Sequence, residues 1–221
     1  MPGGFYTDAR GRVRPTGNRG RRGGRAKPVL LAGLVAFSAV AYGGAVGLSA
    51  GGPGGAGPAL TARKAASEDR ARDGDVEGAW RELGLREVER TDRQPADCAA
   101  ASFGGVRDFL RDTGCVSMDR ALFAVGDDAG NTAVVAVAWV EFASREDARR
   151  FQDLVDEPGS GDVEPLGADA LGLPGVAFSG ANYGSGRDRG TVAVAGAELA
   201  SGYLTPEVLD ALAEVAALLP R

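Results

Sequence analysis

The sequence predicts an α+β domain carried behind one membrane-spanning helix. A charge-free apolar stretch follows directly on a basic tail. Further along, two pairs of apolar, strand-like runs are each joined by a polar turn, and segments of helical spacing lie between and after them. The sheet expected from these runs is antiparallel with roughly four strands, covered by helices on one face.

Residues 1–27 hold Arg10, Arg12, Arg14, Arg19, Arg21, Arg22, Arg25 and Lys27 against Asp8, a sum of +7. The whole chain carries −5, so the remainder carries −12. The tail is rich in Gly, Arg and Pro without apolar periodicity, so it is expected to be disordered and cytoplasmic. Residues 28–50 are expected to span the membrane. Val29 to Ala50 is a predominantly apolar stretch of 22 residues, which as a helix reaches roughly 33 Å, enough for a hydrocarbon core of about 30 Å. Cations precede the span and none follows until Arg63, which places the C-terminal part outside the cytoplasmic membrane. A cleaved export signal, ending near Ala45-Val46-Gly47, is the alternative and would export the same domain. Residues 51–75 read as a glycine-rich linker and an alanine-rich polar stalk.

The exported domain is expected over residues 76–221. Val76, Trp80 and Leu83 share a short helix face that Gly84 ends. Phe103, Val106, Phe109 and Leu110 give an amphipathic helix over 102–113, with Ser102 as N-cap and Gly114 as stop. Residues 117–125 and 132–142 read as strands around GDDAGN, and the second is apolar on both faces, which makes it central. Ser144-x-x-Asp147 opens a helix with Ala148, Phe151, Leu154 and Val155 on one face. A Gly/Pro-rich connection at 157–174 precedes expected strands at 176–183 and 190–197, around the turn GSGRDRG. Thr205 and Pro206 start the last helix, with Val208, Leu212, Val215 and Leu219 on its buried face. Val135–Ser144 aligns without gaps on Val192–Ser201, with seven of ten residues identical. That echo admits two ββα units sharing one sheet, although Val/Ala-rich composition also produces such matches.

Cys98 and Cys115 both fall in the exported part, so a disulfide is expected, with two free buried thiols as the alternative. Cysteines 17 residues apart cannot meet across one continuous helix, so a flank must fold back along a shorter one. The absence of histidine excludes Ser-His-Asp and Cys-His nucleophile systems and histidine-containing zinc sites. No metal site, cofactor or catalytic residue is expected.

Asp73-Gly-Asp75-Val-Glu77-Gly78 begins like a calcium loop but has Gly84 where a bidentate carboxylate is needed. Gly184–Gly190 resembles a phosphate cradle but leads into a strand, so it reads as a turn with Arg187 and Arg189 presented to a partner. Asp127 and Asp128 read as turn-shaping residues. The large aromatics Trp80, Phe123, Trp139, Phe178 and Tyr183 read as core. The Arg/Gly tail suits anionic lipid better than nucleic acid, which is not expected as a partner. Asp119, Glu141, Glu164 and Glu198 are acidic residues that carboxylate chemistry could use, but spacing alone pairs none of them.

The run Cys98…Val106-Arg-Asp-Phe-Leu110…Thr113-Gly-Cys115-Val-Ser117…Arg120-Ala-Leu122, followed by Val135-Ala-Val-Ala-Trp-Val140, resembles a group of uncharacterised actinobacterial membrane-anchored exported proteins with a paired-cysteine α+β domain. The Ala/Gly content and the excess of Arg over Lys fit such an origin. The resemblance covers about Cys98 to Leu219; it supports export and the disulfide and implies no activity. Three functions follow as expectations. The first is a tethered, non-catalytic domain that binds an envelope component or protein partner. The alternatives are a carboxylate-dependent cell-wall hydrolase and a membrane sensor or regulatory subunit.

Overall fold

A computed structural model describes residues 5–7, 13–15 and 58–221. The expected span at 28–50 and the linker at 51–57 lie outside the described residues. Among the described residues no helix is long and apolar enough to cross a membrane. Within the N-terminal tail, β1 (Phe5–Thr7) and β2 (Val13–Pro15) form a short antiparallel pair.

The second compact unit contains all remaining elements. It opens with α1 (Pro58–Arg72) and α2 (Val76–Glu82). Then come β3 (Arg86–Arg90), β4 (Gln94–Ala96), β5 (Ser102–Phe103) and α3 (Gly104–Thr113). The long hairpin β6 (Ser117–Gly126) and β7 (Thr132–Glu141) leads into α4 (Arg145–Val155). After β8 (Gly161–Val163) and a 3-10 turn at Ala168–Leu171, β9 (Tyr183–Asp188), β10 (Thr191–Ser201) and α5 (Pro206–Ala216) complete the chain.

The main sheet is six-stranded and antiparallel, in the order β3-β6-β7-β10-β9, with β4 continuing the β3 edge along β6. β5 and β8 form a separate pair. The expectation of four strands missed β3 and β4. They are short, polar edge strands in which Val88 is 59% exposed, so no apolar alternation marks them.

Helices cover both faces of the sheet, not one. Val135, Val137 and Trp139 of β7 pack with α2 and α5, whereas Ala138 and Val140 pack with α3 and α4. Farther along that second face, Val134 and Ala136 are covered by Leu166, Ala168 and Leu171 of the connection. The physical reason is legible in β7 itself: a strand apolar on both sides leaves half of its surface in water unless two layers cover it. The two chain segments that echo each other do occur as β6-β7-α4 and β9-β10-α5. Their aligned residues point to opposite faces, however, with Val135 and Val137 toward α5 and Val192 and Val194 toward α4.

Three further differences are local. Residues 61–72 of the expected stalk form part of α1, which is not a free-standing stalk but packs on α2 and α5. Ser67 and Ala71 are fully buried, and the Ser67 hydroxyl donates to Ala79 O at 2.7 Å. Small side chains let the helices approach without an apolar stripe long enough to be read. The N-cap of α3 is Phe103 rather than Ser102, whose hydroxyl instead donates to Cys98 O at 2.8 Å. The strand expected at 176–183 lies at Tyr183–Asp188, so the expected turn at Gly184–Gly190 is mostly strand. Gly184 and Gly186 serve a close approach there: a Cβ on Gly184 would stand 2.5 Å from Ala213 O of α5.

Other boundaries fall where their caps predict. Ser144 caps α4, accepting from Asp147 N at 3.0 Å. Gly114 ends α3 with φ 79°, a conformation that favours glycine. Cys98 and Cys115 are disulfide-bonded with Cα atoms 6.5 Å apart, and the 97–101 turn folds back along the ten-residue α3 between them.

Candidate functional site

Cross-strand register assembles the site. On the α1/α2/α5 face, Asp188, Thr191, Glu141 and Ser117 lie in one row across β9, β10, β7 and β6. The next row holds Gly186, Ala193, Trp139 and Asp119. Helix α5 ends at Ala216, short of these rows, so the segment Leu219-Pro220-Arg221 crosses this end of the face instead.

Three interactions hold that segment. Trp139 Nε1 donates to Leu219 O at 2.8 Å. Arg93 Nη2 donates to Pro220 O at 3.1 Å, and its guanidinium carbon sits 4.7 Å from the Trp139 ring centroid. Arg221 pairs with Asp119 at 2.7 Å and with Glu141, which also accepts from the Ser117 hydroxyl at 3.0 Å. Burial alone would pull the Arg221 pKa down, but its hydrogen bonds and charge pairing with Asp119 and Glu141 outweigh this and hold it above its ordinary value.

A cavity of about 590 Å³ opens beside the segment, with Gly186, Ala193 and Trp139 along it and Thr191 and Asp188 at its rim. A smaller cavity of about 220 Å³ lies against Thr91, Arg93, Phe123, Trp139 and Pro220. Trp139, read from sequence as core, is 2% exposed and borders both. Gly186 lies against the Ala217 carbonyl just past α5, and Ala193 and Trp139 are buried beside it, so the cavity opens over a closely packed floor.

Of the four acidic residues singled out in the sequence, the fold brings Asp119 and Glu141 together. They stand side by side on one sheet face, tied to the same guanidinium, and not opposed across a cleft as glycosidic chemistry requires. Glu164 lies after β8, where its backbone oxygen accepts from Arg120 Nη1 at 2.9 Å. Glu198 is on β10 and accepts from Ser179 N at 2.6 Å.

Arg187 is exposed on β9, its Nε donating to Gln152 Oε1 at 3.1 Å. Arg189 sits at the hairpin tip with φ 53°, and with Gly190 it forms the whole of the connection between β9 and β10. Asp75 is the N-cap of α2, accepting from Gly78 N at 2.9 Å, which accounts for the calcium-like run as a helix start. Among the described residues no group of three or more His, Cys, Asp or Glu is placed to hold a metal ion. Asp127 shapes the β6–β7 turn, accepting from Ala129 N and Asn131 N at 2.9 Å each, while Asp128 meets Arg86 at 2.6 Å.

Sequence reading missed Ser117, Arg93, Thr191, Asp188 and Arg221 as groove residues. Period-two alternation does place Ser117 with Asp119 and Trp139 with Glu141. Which strands lie side by side, and in what register, has no signal in those segments. Comparison with protein-family models, with curated proteins and with solved structures finds no match.

Proposed function

We propose that this chain is a membrane-tethered domain, held outside the cytoplasmic membrane, that binds an envelope component or protein partner without catalysis. The groove beside Trp139 is the binding surface in this reading. The observation that carries it is the arrangement of the groove's ionic groups. Asp119 and Glu141 are engaged by Arg221, while a cavity of about 590 Å³ bordered by Thr191, Asp188 and Trp139 opens next to them. Such a surface offers shape and hydrogen-bonding groups at Thr191 and Asp188, the elements of recognition. The outward placement rests on the basic tail, the apolar 28–50 stretch and a disulfide, a bond that persists in oxidising compartments.

The test is photocrosslinking in cells from an unnatural residue at Thr191, compared with the same probe at Asp108 on α3. A discrete adduct from the groove position, abolished when Asp188→Trp covers the cavity at its exposed rim, is the expected result. Equal adducts from both positions, or adducts unaffected by the blocking substitution, overturn the groove. Labelling of a cysteine at position 108 by a membrane-impermeant reagent in intact cells tests the topology separately.

A further inference from the structure

The two edges of the main sheet are built differently. β3 is interrupted by a bulge between Glu87 and Glu89, and β4, which continues that edge, carries Pro95. A bulge and a proline both discourage a second chain from adding to an edge. The opposite edge, β9, runs in unbroken register along β10 from Asp188↔Thr191 to Tyr183↔Gly196, with neither device.

Its hairpin closes through Arg189 and Gly190 alone, so Asp188 and Thr191 form the first hydrogen-bonded pair. Alternation then turns the backbone groups of Gly186 and Gly184 toward β10, and those of Arg187, Ser185 and Tyr183 outward. Among the described residues no backbone hydrogen bond from outside the strand ladder reaches those three.

We propose that β9 is a self-pairing edge, to which a second copy of this chain adds its own β9 antiparallel about a two-fold axis at Ser185. In that register Ser185 faces its counterpart, and Tyr183 faces Arg187 of the second copy. The outward N–H and C=O groups of one copy then meet those of the other, and the two sheets become continuous.

The side chains along this edge are complementary to themselves. On the α4 side, Arg187 stands at one end, donating to Gln152 Oε1 at 3.1 Å. Gln152 Nε2 donates to Ser185 Oγ at 3.2 Å near the axis. At the other end the Tyr183 hydroxyl donates to Asp156 at 3.0 Å. The strip therefore runs from a cation to a carboxylate. A two-fold rotation lays each Arg187 beside the other copy's Tyr183 ring and Asp156, as an isologous interface requires. Burial, followed by the charges of Asp156 and Asp162, pushes the Tyr183 pKa up, so the hydroxyl stays a neutral donor to Asp156. The groove opens on the opposite face of the sheet and meets this edge at Arg187 and Asp188, but the pairing of β9 needs nothing bound in it.

The experiment uses the full chain with Ser185→Cys, mildly oxidised in its membrane and run on a non-reducing gel. Directly opposed residues of a hydrogen-bonded antiparallel pair have Cα atoms about 5.5 Å apart, within the range a disulfide spans. Cys98 and Cys115 are bonded to each other, so the introduced thiol is the free one among the described residues. A disulfide-linked dimer is expected, forming faster than with Arg189→Cys, which is more exposed but lies away from the axis. Arg187→Glu and Asp156→Arg, each in the Ser185→Cys chain, are expected to lose the dimer band, and their combination to restore it. Persistent monomer, crosslinking no faster than at position 189, linkage only to a different protein, or no recovery in the charge swap each overturn the proposal.

Discussion

Gly184→Ala puts the packing of α5 on β9 to a quantitative test. The added Cβ would lie 2.5 Å from Ala213 O, 2.6 Å from Glu214 Cα and 2.7 Å from the Ala213 carbonyl carbon. All three are backbone atoms of α5, so no side chain can swing aside, and ordinary contact requires a separation of roughly 3.4–4 Å. The helix must retreat by about 1 Å, loosening Leu212, Val215 and Ala216, all fully buried against the sheet. Overpacking of this kind costs about 1–3 kcal/mol. The backbone at 184 lies outside the left-handed region, so alanine also returns about 0.4–1 kcal/mol by restricting the unfolded chain. The net expectation is a loss of about 1–2 kcal/mol, or a fall in Tm of about 2–8 °C for a unit of this size. The assay is urea and thermal unfolding followed by tryptophan fluorescence, since both Trp80 and Trp139 lie in the core on this face. Gly175→Ala is the control: nothing stands within 4 Å of its added Cβ, so the substitution is expected to be neutral or slightly stabilising. If Gly184→Ala proves as stable as that control, α5 does not rest on the β9 backbone and the reasoning fails.

Three other expectations are simpler to read. Reducing Cys98–Cys115, or replacing both residues with serine, should lower stability by about 3 kcal/mol for a bridge across 17 positions, seen as a fall in the urea midpoint. Asp127 has its pKa lowered, first by the Asn131 side chain and then by the Asn131 backbone N–H, with further help from Ala129 and Gly130. A depressed carboxyl contributes stability that is present above its unfolded pKa and lost as pH falls through the folded one. Protection of the Ala129 and Asn131 amides, taken relative to their intrinsic exchange rates, should therefore fall on acidification below about pH 4, and Asp127→Asn should flatten that dependence. Ser144→Ala removes the hydroxyl that accepts from Asp147 N and should cost about 1 kcal/mol, with fraying of the first turn of α4 visible by NMR.

The candidate groove was only partly legible in the sequence. Trp139 and Glu141 announce themselves as same-face residues of β7, and Ser117 and Asp119 as same-face residues of β6. Arg93 and Arg221 sit 46 residues before and 82 residues after Trp139 in the chain, in segments without periodicity. Only folding brings them to one ring and one carboxylate pair. Arg187, expected at the tip of a turn, lies along an edge strand, because Gly184 and Gly186 are strand residues that admit the close approach of α5.

By itself the sequence determined the elements whose signals are local. Ser144, Gly114, Pro206 and the acidic turn at 127–131 set helix ends and a hairpin through the conformational preferences of single residues and their nearest neighbours. It also determined that β7 is central, since a strand apolar on both sides has no stable place at an edge. Tertiary structure alone decided the rest. The assignment of helices to two faces, the recruitment of α1 through Ser67 and Ala71, and the unlike edges at β3 and β9 depend on contacts between residues distant in the chain. Apolar burial is non-directional: it requires that both faces of β7 be covered, and leaves shape and backbone fit to select which helix covers which.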